Sequence, residues 1–133
     1  LKKIDKKKAQ ELFTKDVTKW LDFFGLNDWF VNISTSASSK DCPEDSVAFC
    51  SYVCEGKSAD IALIDRESYF EELVKIAAFH EVCELLLADI TFLASERGFS
   101  KTIFDIARHS LIRRLESSVF KTLDKKIKIE ELK

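Results

Sequence analysis

Apolar residues recur at helical spacing from Lys6 to Gly25, where Ala9, Leu12, Phe13, Val17, Trp20, Leu21 and Phe24 form one stripe and Gly25 is a natural stop. The pattern then changes period. Trp29 to Ser34 alternates, with Trp29, Val31 and Ile33 on one side and Phe30, Asn32 and Ser34 on the other, which predicts a strand. Thr35 to Asp45 is a Ser-rich polar loop holding the only proline, Pro43. Ser46 to Cys54 and Ala59 to Ile64 predict two more strands, joined by a hairpin turn at Glu55-Gly56-Lys57 and therefore antiparallel.

A second helix is expected from about Tyr69 to Ser95, capped by Asp65 or Ser68. Its middle, Leu73 to Leu93, is apolar nearly all round, so other elements should cover it on several sides. Arg97-Gly98-Phe99-Ser100 breaks that pattern. A third helix follows from about Lys101 to Lys125, with Phe104, Ala107, Leu111, Leu115, Val119 and Leu123 as its core stripe. Lys126 to Lys133 fits either a frayed helix end or a short strand. The fold class is α+β: an N-terminal helix, a small antiparallel three-stranded sheet, then two long antiparallel helices.

Inside the apolar second helix stands Phe79-His80-Glu81-Val82-Cys83-Glu84. His80 and Glu84 are four residues apart, so they lie one above the other on one helix face, and Glu81 points about 100° away. This is the H-E-x-x-H metal-helix pattern with glutamate at the second histidine. Each group has a use in metal chemistry: His80 and Glu84 can grip one cation, and Glu81 can handle a proton on a bound water. The alternative is an amphipathic helix with a solvated acidic stripe. Burial of three polar groups is costly unless they are paired or bound to metal, which favours a site.

A third ligand follows from geometry if Gly98 turns two antiparallel helices. His80 is 18 residues before Gly98 and Glu116 is 18 after it, so the two come level. His109 mirrors to Leu87, nearer the turn. His109 and Glu116 share a face roughly 10.5 Å apart along the axis, too far to bind one ion together. Glu116 is therefore the expected third ligand and His109 the alternative. Against a metal role, Glu116 can pair with Arg113 or Lys121, and His109 can be an exposed helix residue.

Length makes residues 1–133 most economically one domain. The formal charge of −2 argues against a polyanion as main partner, although Lys2, Lys3, Lys6, Lys7 and Lys8 form a local basic run. A solvated helix start accounts for such a run, and a nucleic-acid-binding arm is the rival. No stretch approaches the roughly 20 apolar residues of a membrane span, and no export signal is recognised, so a cytoplasmic protein without a membrane partner is expected. The absence of Met fits a processed or trimmed N-terminus. Cys42, Cys50, Cys54 and Cys83 match no zinc-finger spacing and are expected as structural thiols.

The order of helix, strands, H-E-x-x-E helix and glutamate-bearing helix resembles the minimal layout of zincin-type metallopeptidases, in particular their glutamate-ligand branch, the gluzincins. More narrowly, His109-Ser110-Leu111-Ile112-Arg113-Arg114-Leu115-Glu116 resembles the region after the metal helix in small zincin-like proteins of phages and prophages. The resemblance covers about Asp28 to Phe120. It implies a phage or prophage protein in a host cell, metal ligation by the residues matching His80 and Glu116, and Glu81 as general base. The chain departs from the pattern at Glu84, where histidine is expected.

One imidazole and two carboxylates still provide three ligands and balance a divalent charge. Zinc is the first expectation, and the oxygen-rich set makes manganese or iron competitive. The extra carboxylate also makes a bound water less acidic. The function expected is metal-dependent hydrolysis of a peptide or protein substrate, which could pair with Ala59–Ile64 if that strand lies at the sheet edge. The alternatives are a catalytically silent zincin-like binding module and a nucleic-acid-associated protein using the lysine-rich helix.

Overall fold

The computed structural model describes residues 1–37, 46–98 and 100–125. Pro43, Cys42, Phe99 and the Lys126–Lys133 tail lie outside the described residues. The chain is α+β and divides into two compact units, Leu1–Asp89 and Ile90–Lys133.

The first unit opens with β1 (Lys3–Asp5) and α1 (Lys6–Phe23). Asp5 caps α1 by accepting a hydrogen bond from the Lys8 backbone N–H at 2.8 Å. The other end closes as a Schellman motif. Leu26 N–H donates to Leu21 O, Gly25 N–H donates to Asp22 O, and Gly25 sits at φ 68°, where a side chain would be strained. Between these stops α1 buries Ala9, Phe13, Asp16, Val17 and Trp20. Local interactions also occupy part of the basic run: Lys6 pairs with Asp65, and the Lys3 ammonium lies over the Phe70 ring.

The main sheet holds β2 (Phe30–Ala37), β3 (Ala48–Val53) and β4 (Ser58–Ile64) in the order β2-β4-β3. The hairpin between β3 and β4 forms where the turn residues place it. Lys57 there adopts φ 47° and donates its backbone N–H to Cys54 O. The expected all-antiparallel sheet is not what forms: β2 pairs parallel with β4, Phe30 opposite Ser58 and Ile33 opposite Ile61. A hairpin dictates only its own two strands, and β2 reaches the far side of β4 through non-local pairing. β4 is consequently the central strand, not an edge, and four of its last residues, Ile61, Ala62, Leu63 and Ile64, are all buried.

A second correction concerns the start of the long helix. Ser68–Phe70 is a short strand, β5, paired antiparallel with β1, and α2 runs from Glu71 to Leu86. The N-cap position falls on Phe70, whose side chain makes no capping bond, and neither Asp65 nor Ser68 caps α2. Tyr69 fixes this start. Its buried hydroxyl donates to Ile64 O at 2.7 Å and accepts from the Arg66 N–H at 2.8 Å. Burial pushes the Tyr69 phenol above its usual range. Glu71 and Glu72 then occupy the first turn, where negative charge suits the helix dipole.

The helix also ends early. Helical structure is interrupted at Leu87, and α3 (Ala88–Glu96) follows. No glycine or proline marks the break, so its cause is tertiary. The Cys54 thiol donates to Ala88 O at 3.7 Å and lies beside the Asp89 carboxylate, which anchors the new first turn to the β3–β4 hairpin. Phe79 of α2 meets Trp20 of α1 edge-to-face, with ring centroids 4.8 Å apart, and β3 packs against α2.

In the second unit α3 ends at Glu96, and the turn that follows passes through Gly98 at φ 74°, where the sequence pattern breaks. Ser100 caps α4 (Lys101–Leu115), and a π-helical turn, Glu116–Phe120, continues it. Ile112, Phe120 and Asp124 are buried, while Leu111 is exposed. The expected stripe through Ala107 and Leu111 is thus displaced around the helix. No helix of the described residues is long and apolar enough to cross a membrane.

Candidate metal centre

α2 is covered on most sides: Val74, Ala78, Phe79, Val82, Cys83 and Leu85 are buried around its circumference. Two carboxylates are buried with them, Glu81 and Glu84, each 9% exposed. His80 is half-buried. The helix brings His80 and Glu84 together, with Nε2 and Oε1 3.4 Å apart.

That distance is compatible with two uses of the pair, an i,i+4 ion pair and two ligands of one ion. A charge-assisted N–H···O bond is shorter, about 2.7–2.9 Å. Two ligand atoms about 2.1 Å from one tetrahedral ion stand about 3.4 Å apart, so the donors are spaced as the edge of a metal site. The donor chemistry fits as well: imidazole nitrogen and carboxylate oxygen both ligate zinc, and carboxylates also suit manganese. Glu81 is one residue along the helix and off the axis joining these two.

His109 and Glu116 belong to the second unit. The His109 ring faces its own helix through Nδ1, 2.8 Å from Asp105 O. A carbonyl can only accept, so Nδ1 carries the proton, and in the neutral ring the lone pair is on Nε2. This is the tautomer of a typical metal-ligating histidine, oriented by its other nitrogen. Glu116 is half-buried and opens the π-helical turn, a feature enriched at functional sites. The reflection that brought Glu116 level with His80 assumed unbroken helix from His80 to the Gly98 turn. The interruption at Leu87 removes that assumption.

Two features escaped the sequence reading. Asp16 lies in the buried stripe of α1, 3% exposed, with Lys19 Nζ 3.8 Å from Oδ1. Its position between Phe13 and Trp20 at helical spacing was the available signal. The second is the Cys54–Asp89 contact: desolvation first, and the neighbouring Asp89 carboxylate second, raise the Cys54 thiol above its usual range. Cys50, Cys54 and Cys83 are all free thiols. In comparisons with known proteins, the chain matches no family model, no curated protein and no solved structure.

Proposed function

We propose that α2 carries a divalent-metal site and that the protein is a metal-dependent peptide hydrolase of zincin-like type. The observation that supports this most is the 3.4 Å spacing of His80 Nε2 and Glu84 Oε1 on a largely buried helix. In this reading His80 and Glu84 are two ligands. Glu116 and His109, both of the other unit, are the candidates for a third ligand. The Nδ1–H···O bond to Asp105 favours His109, because it leaves the lone pair on Nε2.

Zinc suits this donor set, with manganese or iron as rivals. When bound, the ion would supply Lewis acidity and a water of lowered pKa. Glu81 would be the base that holds a proton from such a water at its carboxylate and releases it to a departing amine. An extended substrate pairs along β3, which is an edge strand among the described residues and packs against α2. A cytoplasmic site of action belongs to the same proposal.

The test is metal content by mass spectrometry after loading and gel filtration, for the parent, His80→Ala, Glu84→Gln, His109→Ala and Glu116→Gln. The parent should hold close to one ion per chain. His80→Ala and Glu84→Gln should lose it, and whichever of His109→Ala and Glu116→Gln also loses it carries the third ligand. A parent without metal sinks the site. A loaded parent that cleaves no peptide turns the domain into a metal-dependent binding module.

A further inference from the structure

The two units differ in charge. Leu1–Asp89 contains 11 Lys and Arg against 17 Asp and Glu, a formal −6, whereas residues 90–133 contain 10 against 6, a formal +4. The near-neutral total hides this opposition. Each unit also presents large apolar side chains to solvent at several places, one of which in each unit lies beside exposed charge.

On the acidic unit that place is the outer face of the β2-β4-β3 sheet. Residues 31, 33, 59, 61, 50 and 52 share the opposite face. Register puts Phe30, Ser58 and Val53 in one cross-strand row, and Asn32, Asp60 and Ser51 in the next. Phe30 is 81% and Val53 59% exposed. Asp60 is exposed in the adjoining row, and Glu55 is exposed in the hairpin that Val53 enters.

On the basic unit the place is the solvent face of α4. Ile103, Ile106, Ser110, Arg113, Arg114 and Ser117 fall within one side of the helix, opposite the buried Ile112. Ile103 is 70% and Ile106 66% exposed, and both arginines are exposed. Apolar residues thus occupy the first half of the face and cations the second.

We propose that these two surfaces are made for each other in a second copy of the chain: α4 of one molecule lies across the Phe30/Val53 end of the sheet in its partner. A helix laid on a sheet face is a common two-layer packing. Ile103 and Ile106 cover the Phe30–Val53 row, while Arg113 and Arg114 meet Asp60 and Glu55. Each copy carries both surfaces, so α4 of one copy has a matching sheet face on another. Opposite charge steers the encounter and the apolar row holds it. The inference uses none of the metal-site residues and stands or falls separately from that reading.

Sedimentation velocity from about 5 to about 200 µM is the experiment. The parent should shift from monomer to dimer within that range, and raising salt from about 50 to about 500 mM should weaken the dimer. Ile106→Glu and Phe30→Glu, both at exposed positions, should each weaken it at least about tenfold, with circular dichroism unchanged. The decisive arm mixes these two variants in equal amounts. Each keeps the surface the other has lost, so the mixture should recover association that neither shows alone. A parent that stays monomeric throughout overturns the proposal. So does a dimer indifferent to both substitutions, or a mixture that recovers nothing.

Discussion

α1 and α2 pack side by side in one unit, yet they are specified in opposite ways. α1 carries its own limits: an aspartate cap at Asp5, a left-handed glycine at Gly25, and one buried stripe with polar residues opposite. α2 has no side-chain cap and ends at Leu87 without a breaking residue. Its boundaries come from Tyr69 at one end and from the Cys54 contacts at the other. Local chemistry defines the first helix and tertiary packing the second. The candidate metal pair sits on the second, where burial makes polar groups costly and their placement therefore informative.

The largest effect expected from this difference is catalytic. If α2 holds a hydrolytic centre, Glu81→Gln should lower peptide cleavage by about 10²–10⁴ while metal content and fold stay near those of the parent. Glutamine keeps the size of the side chain and loses the base. Parallel cleavage of an unstructured peptide library by the metal-loaded parent and variant measures this. Equal rates would remove Glu81 from the mechanism.

The next effect bears on packing. Phe79 is fully buried against Trp20, so Phe79→Ala removes the ring that joins the two helices. Chemical denaturation should show a loss of about 3–5 kcal/mol. A loss below about 1 kcal/mol would mean that α2 does not depend on this packing, contrary to the comparison drawn above.

Legibility follows the same division. The α1 stripe, its stop at Gly25, the β2 alternation and the β3–β4 hairpin all rest on residues close in sequence, and each was readable. The parallel pairing of β2 with β4 was not, because Phe30 and Ser58 are brought together by the whole unit. β1 and β5 are three residues each, too short to show a period. α4 offers two apolar stripes, one through Leu111 and one through Ile112, and only packing chooses Ile112. At the candidate site the His80/Glu84 pair was legible from its spacing. The level of Glu116 was not legible, since reflection about Gly98 runs one helix across the break at Leu87, which no residue type marks.

Smaller effects sharpen the contrast at the helix ends. Gly25→Ala should cost about 1 kcal/mol, from the left-handed backbone alone, since no atom lies within 4 Å of the added methyl. Asp5→Ala should cost a similar amount, about 1 kcal/mol, by deleting the Lys8 N–H acceptor. Thermal denaturation of the two variants and their double mutant checks both. The sites lie at opposite ends of α1, so their costs should add. Clear non-additivity would argue that α1 is not locally specified.

The smallest effect concerns the tertiary end of α2. The Cys54 thiol is held above its ordinary pKa, first by desolvation and then by Asp89, with Lys57 opposing weakly. A raised folded-state pKa favours the neutral thiol. Its contribution to stability is complete below the unfolded-state pKa and disappears as pH rises through the folded-state value. Cys54 is only half-buried, so that contribution is slight, and reactivity is the better measure. Iodoacetamide labelling of Cys54, followed by peptide mass mapping across alkaline pH, should show a midpoint above that of the urea-unfolded chain. Asp89→Asn should lower the folded midpoint, because it removes the carboxylate that opposes the thiolate. Coincident folded and unfolded midpoints would show that Cys54 is not docked on the first turn of α3. The tertiary explanation for the break at Leu87 would then lose its anchor.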